Sequence, residues 1–525
     1  MRYLFFVSIY LLIAGPSVAQ DNLNVSLYAQ YNRGDGRASG CWYYAAPDGK
    51  EYAILGAQTG TAIIRIDGPN NLEEVGFVPG YSSNWREVTV VGQQAYVVTE
   101  GSGSPHYGMQ VIELGQLPDT AFLLNSYSAT FGRGHIIQKD IFEEAPFVYV
   151  CGTSTTQGVH IIDVSNPAAP QQVGLYQPGY YIHDCHVRGD LLFAAAFYEG
   201  TVDIVDISDK SNPTLLYRLD DPAGKTHSVS TTEDMQYLFL ADEQDGLPGR
   251  IFDIQDLENP VQLATYTANL ASLVHNPYIR GDFAFITHNT EGLRVVDMAD
   301  PAVPVEVGYY DTYSGSSGGF NGLWSGCPYL PSGRIIGGNR EDGLYVWTFN
   351  NARAGRFYGL VVDSLSGEPI FNATITIEGA GDVLQSDFEG RFKKGYLPGN
   401  FTLTVTAPGY TPKSATVTLA EGSQESLTVE LAGLTSGLAE AKAAEKITVF
   451  PNPFTVGATL QLDDLAGVKR VRLIGPDRST VRYYQVEHQA SSLYISRNGL
   501  TPGLYWLLVE DETGRMLGTK QLICQ

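Results

Sequence analysis

Residues 158–176 read GVHIIDVSNPAAPQQVGLY, and residues 292–310 read GLRVVDMADPAVPVEVGYY. Each stretch opens on Gly, runs through apolar residues to an Asp, turns at a Pro and leaves on a second apolar run. The unit recurs, opening at Gly60, Gly108, Gly158, Gly200, Gly249, Gly292 and Gly343, with gaps of 48, 50, 42, 49, 43 and 51 residues. A period near 45 residues built only from strand-like runs is the signature of a β-propeller. One small sheet cannot bury both of its faces; a ring of them can.

Working outward, each repeat reads as four strands. The second is rich in Tyr and Phe, as at Phe147–Val150, Leu192–Ala196, Tyr237–Leu240 and Phe283–Thr287. The third, such as Val159–Asp163 or Leu293–Asp297, follows a Gly turn. Both are apolar almost throughout, as strands covered on two faces must be. At the corner, Asp163, Asp206, Asp253 and Asp297 each precede a Pro. Such an Asp accepts a bond from its own backbone two residues on, so these carboxylates read as turn chemistry, not metal ligands. The last repeat ends after three strands, at Tyr345–Phe349, and Asn24–Tyr31 supplies a fourth from the other end. Pairing the two closes the ring and removes two exposed edges. The count is seven blades over residues 23–350, with six or eight left open by the degenerate corners of repeats two and three.

The fold class is therefore all-β. Residues 357–431 carry short alternating strands between Gly, Pro and Asp turns, a β-sandwich pattern. Residues 433–446 read as a linker, and 447–525 as a third, small β-sandwich. Among 525 residues, 57 Gly and 32 Tyr suit this class. Acidic residues outnumber basic ones by 57 to 33, for a net charge of −24. That surface repels phosphate backbones, which argues against a nucleic-acid partner.

Residues 1–19 read as a secretory signal peptide: Arg2, the apolar stretch Leu4–Ala14, and Ser17-Val18-Ala19 before a cut. The mature chain then begins at Gln20 and carries no transmembrane span. Export permits disulfides. Cys41 with Cys327 is the first pairing expected, Cys151 with Cys185 the second, and Cys524 is left over; buried free thiols are the alternative.

The repeats resemble the LVIVD-repeat family of exported bacterial propellers, most closely at HIIDVSNPAAPQQVG and LRVVDMADPAVPVEVG. The stretch from Tyr180 to Phe349 resembles the choice-of-anchor B group through IHDCHVRGD, LVHNPYIRGDFAFITH and FNGLWSGCPYLPSGRII. That group joins one surface domain to varied anchoring modules and brings no established activity. Residues 357–431 are similar to carboxypeptidase regulatory-like domains through SGEPIFNATI, DFEGRF and LPGNFTLTV. That module implies a transthyretin-like sandwich and no peptidase activity. Residues 447–525 resemble type A sorting domains of type IX secretion through FPNPF, LTPGLYWLLV and TKQLI, although Gly475–Thr480 follows the family turn only loosely. This resemblance implies the type IX machinery as a partner, a Bacteroidetes-type source, and a secreted or outer-membrane cell-surface address reached through the periplasm.

One position per repeat carries chemistry. Trp42, Trp85, His135, His183, His227, His275 and Trp324 stand at the start of the first strand, which lines the channel of a propeller. Their rings are expected to converge on one channel mouth. His135, His183, His227 and His275, with Asp184 and His186 beside them, have the donors for a divalent metal, the one cofactor class the sequence suggests. A mixed Trp and His rim near Arg86, Tyr43 and Tyr180 also suits a sugar. A purely structural role, each His bonding a neighbouring blade, is the third reading. His106 and His288 are expected at the solvent, and the carboxylates of Glu233–Asp245 in a surface turn. No H-E-x-x-H pair or phosphate-cradling loop is present, and no catalytic residue is assigned. The leading functional expectation is a non-enzymatic surface binding protein. Its rivals are a metal-assisted hydrolase or carbohydrate-active enzyme at the channel mouth, and a polysaccharide adhesin.

Overall fold

The computed structural model describes residues 21–103, 108–221, 224–434, 447–461, 467–475, 480–486, 491–512, 514 and 516–525. The signal segment, His106, most of the linker and the middle of the Gly475–Thr480 turn lie outside these residues. Among them every regular element is a strand, and no helix is long and apolar enough to cross a membrane. The chain divides into two compact units, 1–354 and 355–525.

The first unit is a seven-bladed propeller. Six blades are continuous four-strand meanders over 38–79, 86–127, 136–176, 184–220, 226–266 and 276–310. The seventh joins Leu323–Cys327, Ile335–Asn339 and Gly343–Phe349 to the N-terminal strand Val25–Tyr31. Val25 pairs with Phe349 and Tyr31 with Leu344 in antiparallel register, so the two ends of the propeller share one sheet. A bulge marks the outer strand of every blade at one place, for instance between partners of Ile161 and Ile162, Ile204 and Val205, and Val295 and Val296. The N-terminal strand carries the same irregularity between Leu27 and Ala29. It therefore reproduces the outer-strand form, including the added twist a bulge imparts. Asn22–Leu23 pairs with blade six, which the sequence did not signal.

Cores lie between blades. Tyr149, Val159 and Ile161 of blade three pack with Leu192, Ala194 and Val205 of blade four. Phe193, Ala194, Val202 and Ile204 have no exposed surface, because both faces of their sheet are covered. The corner Asp residues do turn chemistry: Oδ1 of Asp163, Asp206, Asp253 and Asp297 accepts from the backbone N–H two residues on, at 2.8, 2.8, 3.0 and 2.9 Å.

Neither expected disulfide is present; all five cysteines are buried thiols. Cys41 bonds Ser325 and the Gly338 backbone, and Cys327 bonds the Tyr43 and Tyr329 backbone. Burial pushes the Cys41 thiol up to about 12, far from the thiolate that disulfide exchange needs. Cys151 and Cys185 instead share a thiol hydrogen bond between blades three and four.

The second unit holds two sheet pairs. Gly355–Asp363, Arg391–Tyr396 and Gln424–Leu431 form one sheet and Thr374–Ile377, Val383–Gln385, Gly399–Thr406 and Lys413–Leu419 another, around Phe357, Ile375, Leu403 and Val429. The rest, from Thr448 on, is a three-stranded and a four-stranded sheet enclosing Leu460, Val471 and Leu507.

Candidate functional site at the propeller axis

The inner strands bring five of the seven predicted rings into one chain of contacts. His135 and His183 lie 4.6 Å apart by ring centroid, His183 and His227 4.4 Å, His227 and His275 4.4 Å, and His275 and Trp324 4.5 Å. Trp85 continues the arc at 6.4 Å from Trp324. The four imidazoles do meet, and the meeting is backed by backbone: Nδ1 of His227 donates to His275 O at 3.2 Å, and Nδ1 of His275 to Trp324 O at 3.0 Å. Those bonds assign the proton to Nδ1 and leave the Nε2 lone pair free.

Trp42 is not part of the arc. It pairs with Ile54 as Cys327 pairs with Ile336, so it is the counterpart of Cys327, three residues beyond the level of Trp324. A register irregularity between Ala38 and Cys41 shifts the count, and Ser39 occupies the place instead. Ser39 Oγ accepts from Arg86 N at 3.0 Å, tying blade one to blade two. Arg86 is buried too, with Nε donating to Ala57 O and Nη2 to Tyr81 O, and so is unavailable to a ligand.

Two further candidates fall away from the imidazoles. Asp184 Oδ1 accepts from Gln138 Nε2 at 3.2 Å and from Cys185 N at 2.7 Å, one layer deeper in the channel. His186 is buried between blades, with Nε2 3.0 Å from Thr231 Oγ1. His288, expected at the solvent, is fully buried with Nε2 against Thr267 Oγ1 at 3.1 Å. Its neutral ring fits that place, since burial pulls its pKa to about 3.

What the sequence reading missed sits above the arc. Gln58, Glu100, Phe197, Glu243 and Arg340 each directly follow the second strand of their blade. Glu243, assigned to a surface turn, faces inward with Oε1 3.9 Å from Nε2 of both His227 and His275. Glu100 pairs with His135 Nδ1 at 2.8 Å. The Arg340 guanidinium lies over the rings of Trp85 and Trp324, at 5.5 and 5.0 Å. A repeat-by-repeat comparison of the residue after each second strand is the signal that finds them. Asp242, just before Glu243, is buried and clamped: the Arg250 guanidinium bonds both Asp242 and Asp221. This fixes the backbone from which Glu243 projects.

Burial, reinforced by neighbouring imidazoles, holds His183 and His227 well below the ordinary histidine value and takes His275 to about 3. These rings are neutral. Burial also works against charge on His135, but the Glu100 carboxylate outweighs it and the pKa rises. Burial lifts Glu243 to about 7, with His135 and Lys225 opposing.

Above the arc opens a cavity of about 580 Å³, lined among others by Trp85, Glu100, Tyr181, Phe197, Tyr198 and Glu243. Tyr198 is 76% exposed and stands 5.0 Å from Phe197 and 5.8 Å from Tyr181 by ring centroid. Tyr180 also borders the cavity, its hydroxyl donating to buried Asp203. The mouth thus combines aromatic faces with carboxylates over a floor of neutral imidazoles.

Family comparison matches the LVIVD repeat at residues 147–177, 181–221 and 276–312, and the carboxypeptidase regulatory-like domain at 356–432. Among solved structures, the chain is similar to a Bacteroides fragilis protein described as a 6-phosphogluconolactonase, with 11% identity over 56% of this chain and 96% of that one, at a TM-score of 0.42. It is also similar to the Neurospora crassa Pan2 WD40 domain, with 12% identity over 62% of this chain and 96% of that one, at a TM-score of 0.41.

Proposed function

We propose that this protein is an exported, non-enzymatic binding protein of the bacterial surface whose propeller takes a carbohydrate at its axial mouth. LVIVD repeats and a carboxypeptidase regulatory-like domain fit an interaction protein. The observation that carries the ligand class is the composition of the mouth. Trp85, Tyr181, Phe197 and Tyr198 offer flat apolar faces, and Glu100, Gln157, Glu199 and Glu243 offer acceptors beside them. Sugars present C–H faces and hydroxyls together, which is what such a lining complements. A nucleotide or other polyanion would meet carboxylates instead.

In this reading the carboxypeptidase regulatory-like module is a spacer. Residues 1–19 direct export to the periplasm, and 447–525 direct passage across the outer membrane through the type IX machinery. The sequence motifs of those segments support both assignments, and the choice-of-anchor B resemblance supports a surface role. The test is a polysaccharide array probed with the purified chain, followed by titration of the retained glycan into wild type and Tyr198→Ala. Retention that weakens about tenfold in the variant, at unchanged melting temperature, is expected from loss of one exposed stacking face. A chain that retains no glycan overturns the reading.

A further inference from the structure

We infer that the floor of the mouth is a binding site for a zinc-class divalent transition metal, held by His183, His227, His275 and Glu243. The site shares Glu243 with the carbohydrate reading but rests on the three imidazoles beneath the mouth, which that reading does not use.

Three observations carry it. First, among the described residues, one ligand atom each from His183, His227 and Glu243 all lie within 4.8 Å of one another, and Glu243 Oε1 is 3.9 Å from Nε2 of both His227 and His275. Metal–nitrogen and metal–oxygen bonds of about 2.0–2.2 Å put neighbouring ligand atoms roughly 3–3.5 Å apart. Closing His183, His227 and Glu243 from within 4.8 Å to that spacing takes shifts of about 1.5 Å or less, and His275 Nε2 joins from its 3.9 Å approach to Glu243. Second, the imidazoles are presented as metal ligands usually are. The Nδ1 protons of His227 and His275 go to backbone carbonyls, which aims Nε2 at the common centre. Third, that aim is otherwise unexplained. His275 Nε2 is completely buried and has no hydrogen-bond partner. A lock between blades needs only Nδ1; it does not account for a buried acceptor turned toward a carboxylate.

The donor set selects the ion. Three imidazoles and one carboxylate suit zinc and its borderline neighbours, while calcium and magnesium prefer oxygen ligands throughout. His135 is left out because its donor atoms lie outside the group that converges within 4.8 Å. Asp184 and His186 are left out because their polar atoms bond elsewhere. The Arg250 clamp on Asp242 holds the carboxylate ligand's backbone in place.

The experiment uses the purified chain, stripped with a chelator and titrated with zinc alone by calorimetry, with cobalt absorption as a second probe of ligand geometry. One zinc per chain is expected. Glu243→Gln and His227→Gln should each weaken binding by about 100-fold, the upper end of what even outer-shell changes cost, and His186→Gln should not change it. Melting curves report folding of each variant; if His227→Gln fails to fold, Glu243→Gln decides. Absence of stoichiometric zinc binding by the wild type, or equal affinity in Glu243→Gln, overturns the assignment. Because metal ions are the only probes here and no glycan is present, failure of metal binding and failure of glycan retention are read in separate assays.

Discussion

The indole Nε1 of Trp324 donates to Glu87 Oε1 at 2.9 Å. This bond links blade seven to blade two across the inner strand of blade one. It exists because blade one offers nothing large there. Ser39 occupies the ring position, and a Cβ at Gly40 would lie 2.2 Å from Glu87 Oε2 and 2.7 Å from Arg86 O. One small pair of residues thus lets a buried carboxyl reach past its own neighbour.

Gly40→Ala should therefore destabilise the propeller. The Glu87 side chain can turn away, but the Arg86 carbonyl is backbone and cannot. Overpacking of this kind costs about 1–3 kcal/mol. The expected result is a lower melting temperature with altered tryptophan fluorescence, since the Trp324 bond is lost as Glu87 moves. Unchanged values of both would refute the contact.

Glu87 also sets a pH dependence. Burial lifts its carboxyl from 4.5 to about 7, with the Trp324 bond and His135 opposing and Asp184 adding. Cys41 and Tyr278 are the other titratable neighbours, and both stay neutral through this range because burial raises them. A carboxyl raised in the folded state holds its proton more tightly there than in the unfolded chain. Its effect favours folding below pH 4.5 and is lost as pH rises to 7. Glu87→Gln keeps an acceptor for Trp324 and removes the titration. Relative to wild type, the variant should gain about 2–3 kcal/mol between pH 4.5 and 8. Parallel stability curves for the two proteins over that range would show that Glu87 does not titrate as described.

Ring closure gives a covalent test. Ser26 and Thr348 are direct cross-strand partners with exposed side chains. Cysteines placed at both positions should form a disulfide under mild oxidation, seen as a shift on non-reducing gels and in peptide mass maps. The native thiols are buried and should not compete. Closing so long a loop stabilises by roughly 5 kcal/mol at most. A double variant that stays reduced would mean that the termini of the propeller are apart.

The Arg250 cluster predicts a steep cost and a rescue. Its guanidinium is the cation bonded to both Asp221 and Asp242, and all three side chains are buried. Arg250→Leu leaves two carboxylates facing each other without it, a loss of about 3–5 kcal/mol. Adding Asp221→Asn and Asp242→Asn should recover most of it, since the uncompensated charge is then gone. Failure of the triple variant to recover would assign the loss to packing of the arginine stem.

Much of this architecture was written in the sequence because repetition exposes it. The Gly-to-Pro unit fixed strand order, and a three-stranded last repeat implied a partner at the N-terminus. The convergence of His135, His183, His227 and His275 followed from equal spacing. What spacing hides is a local change of register. Spacing to the next Gly sets Trp42 beside Trp324, and the strand pairing that puts Ser39 at that level instead is not visible in the sequence. Glu243 was hidden for a different reason: ADEQDG is acidic and Gly-containing, so composition describes a solvated turn. Only the position of Glu243 beside the axis turns one of those carboxylates inward. The thiols illustrate a third limit, since nearness in a ring does not decide whether two sulfurs bond.

The C-terminal segment carries a prediction about processing. FPNPF at residues 450–454 opens a fold with its own core around Leu460, Val471 and Leu507. Before it, residues 433–446 read GLTSGLAEAKAAEK, with neither strand alternation nor a Pro corner. A protease acting on an exported chain cuts where the backbone has few packing partners. If 447–525 is an address that is removed after use, the protein in culture medium should end near Lys446, and intact mass should fall short of the mature full-length value by the mass of that domain. Fusing 433–525 to an unrelated periplasmic protein should carry it to the medium, and deleting 447–525 should leave the propeller in the periplasm. A secreted species ending at Gln525, or secretion undiminished by the deletion, would show that this segment is neither removed nor required.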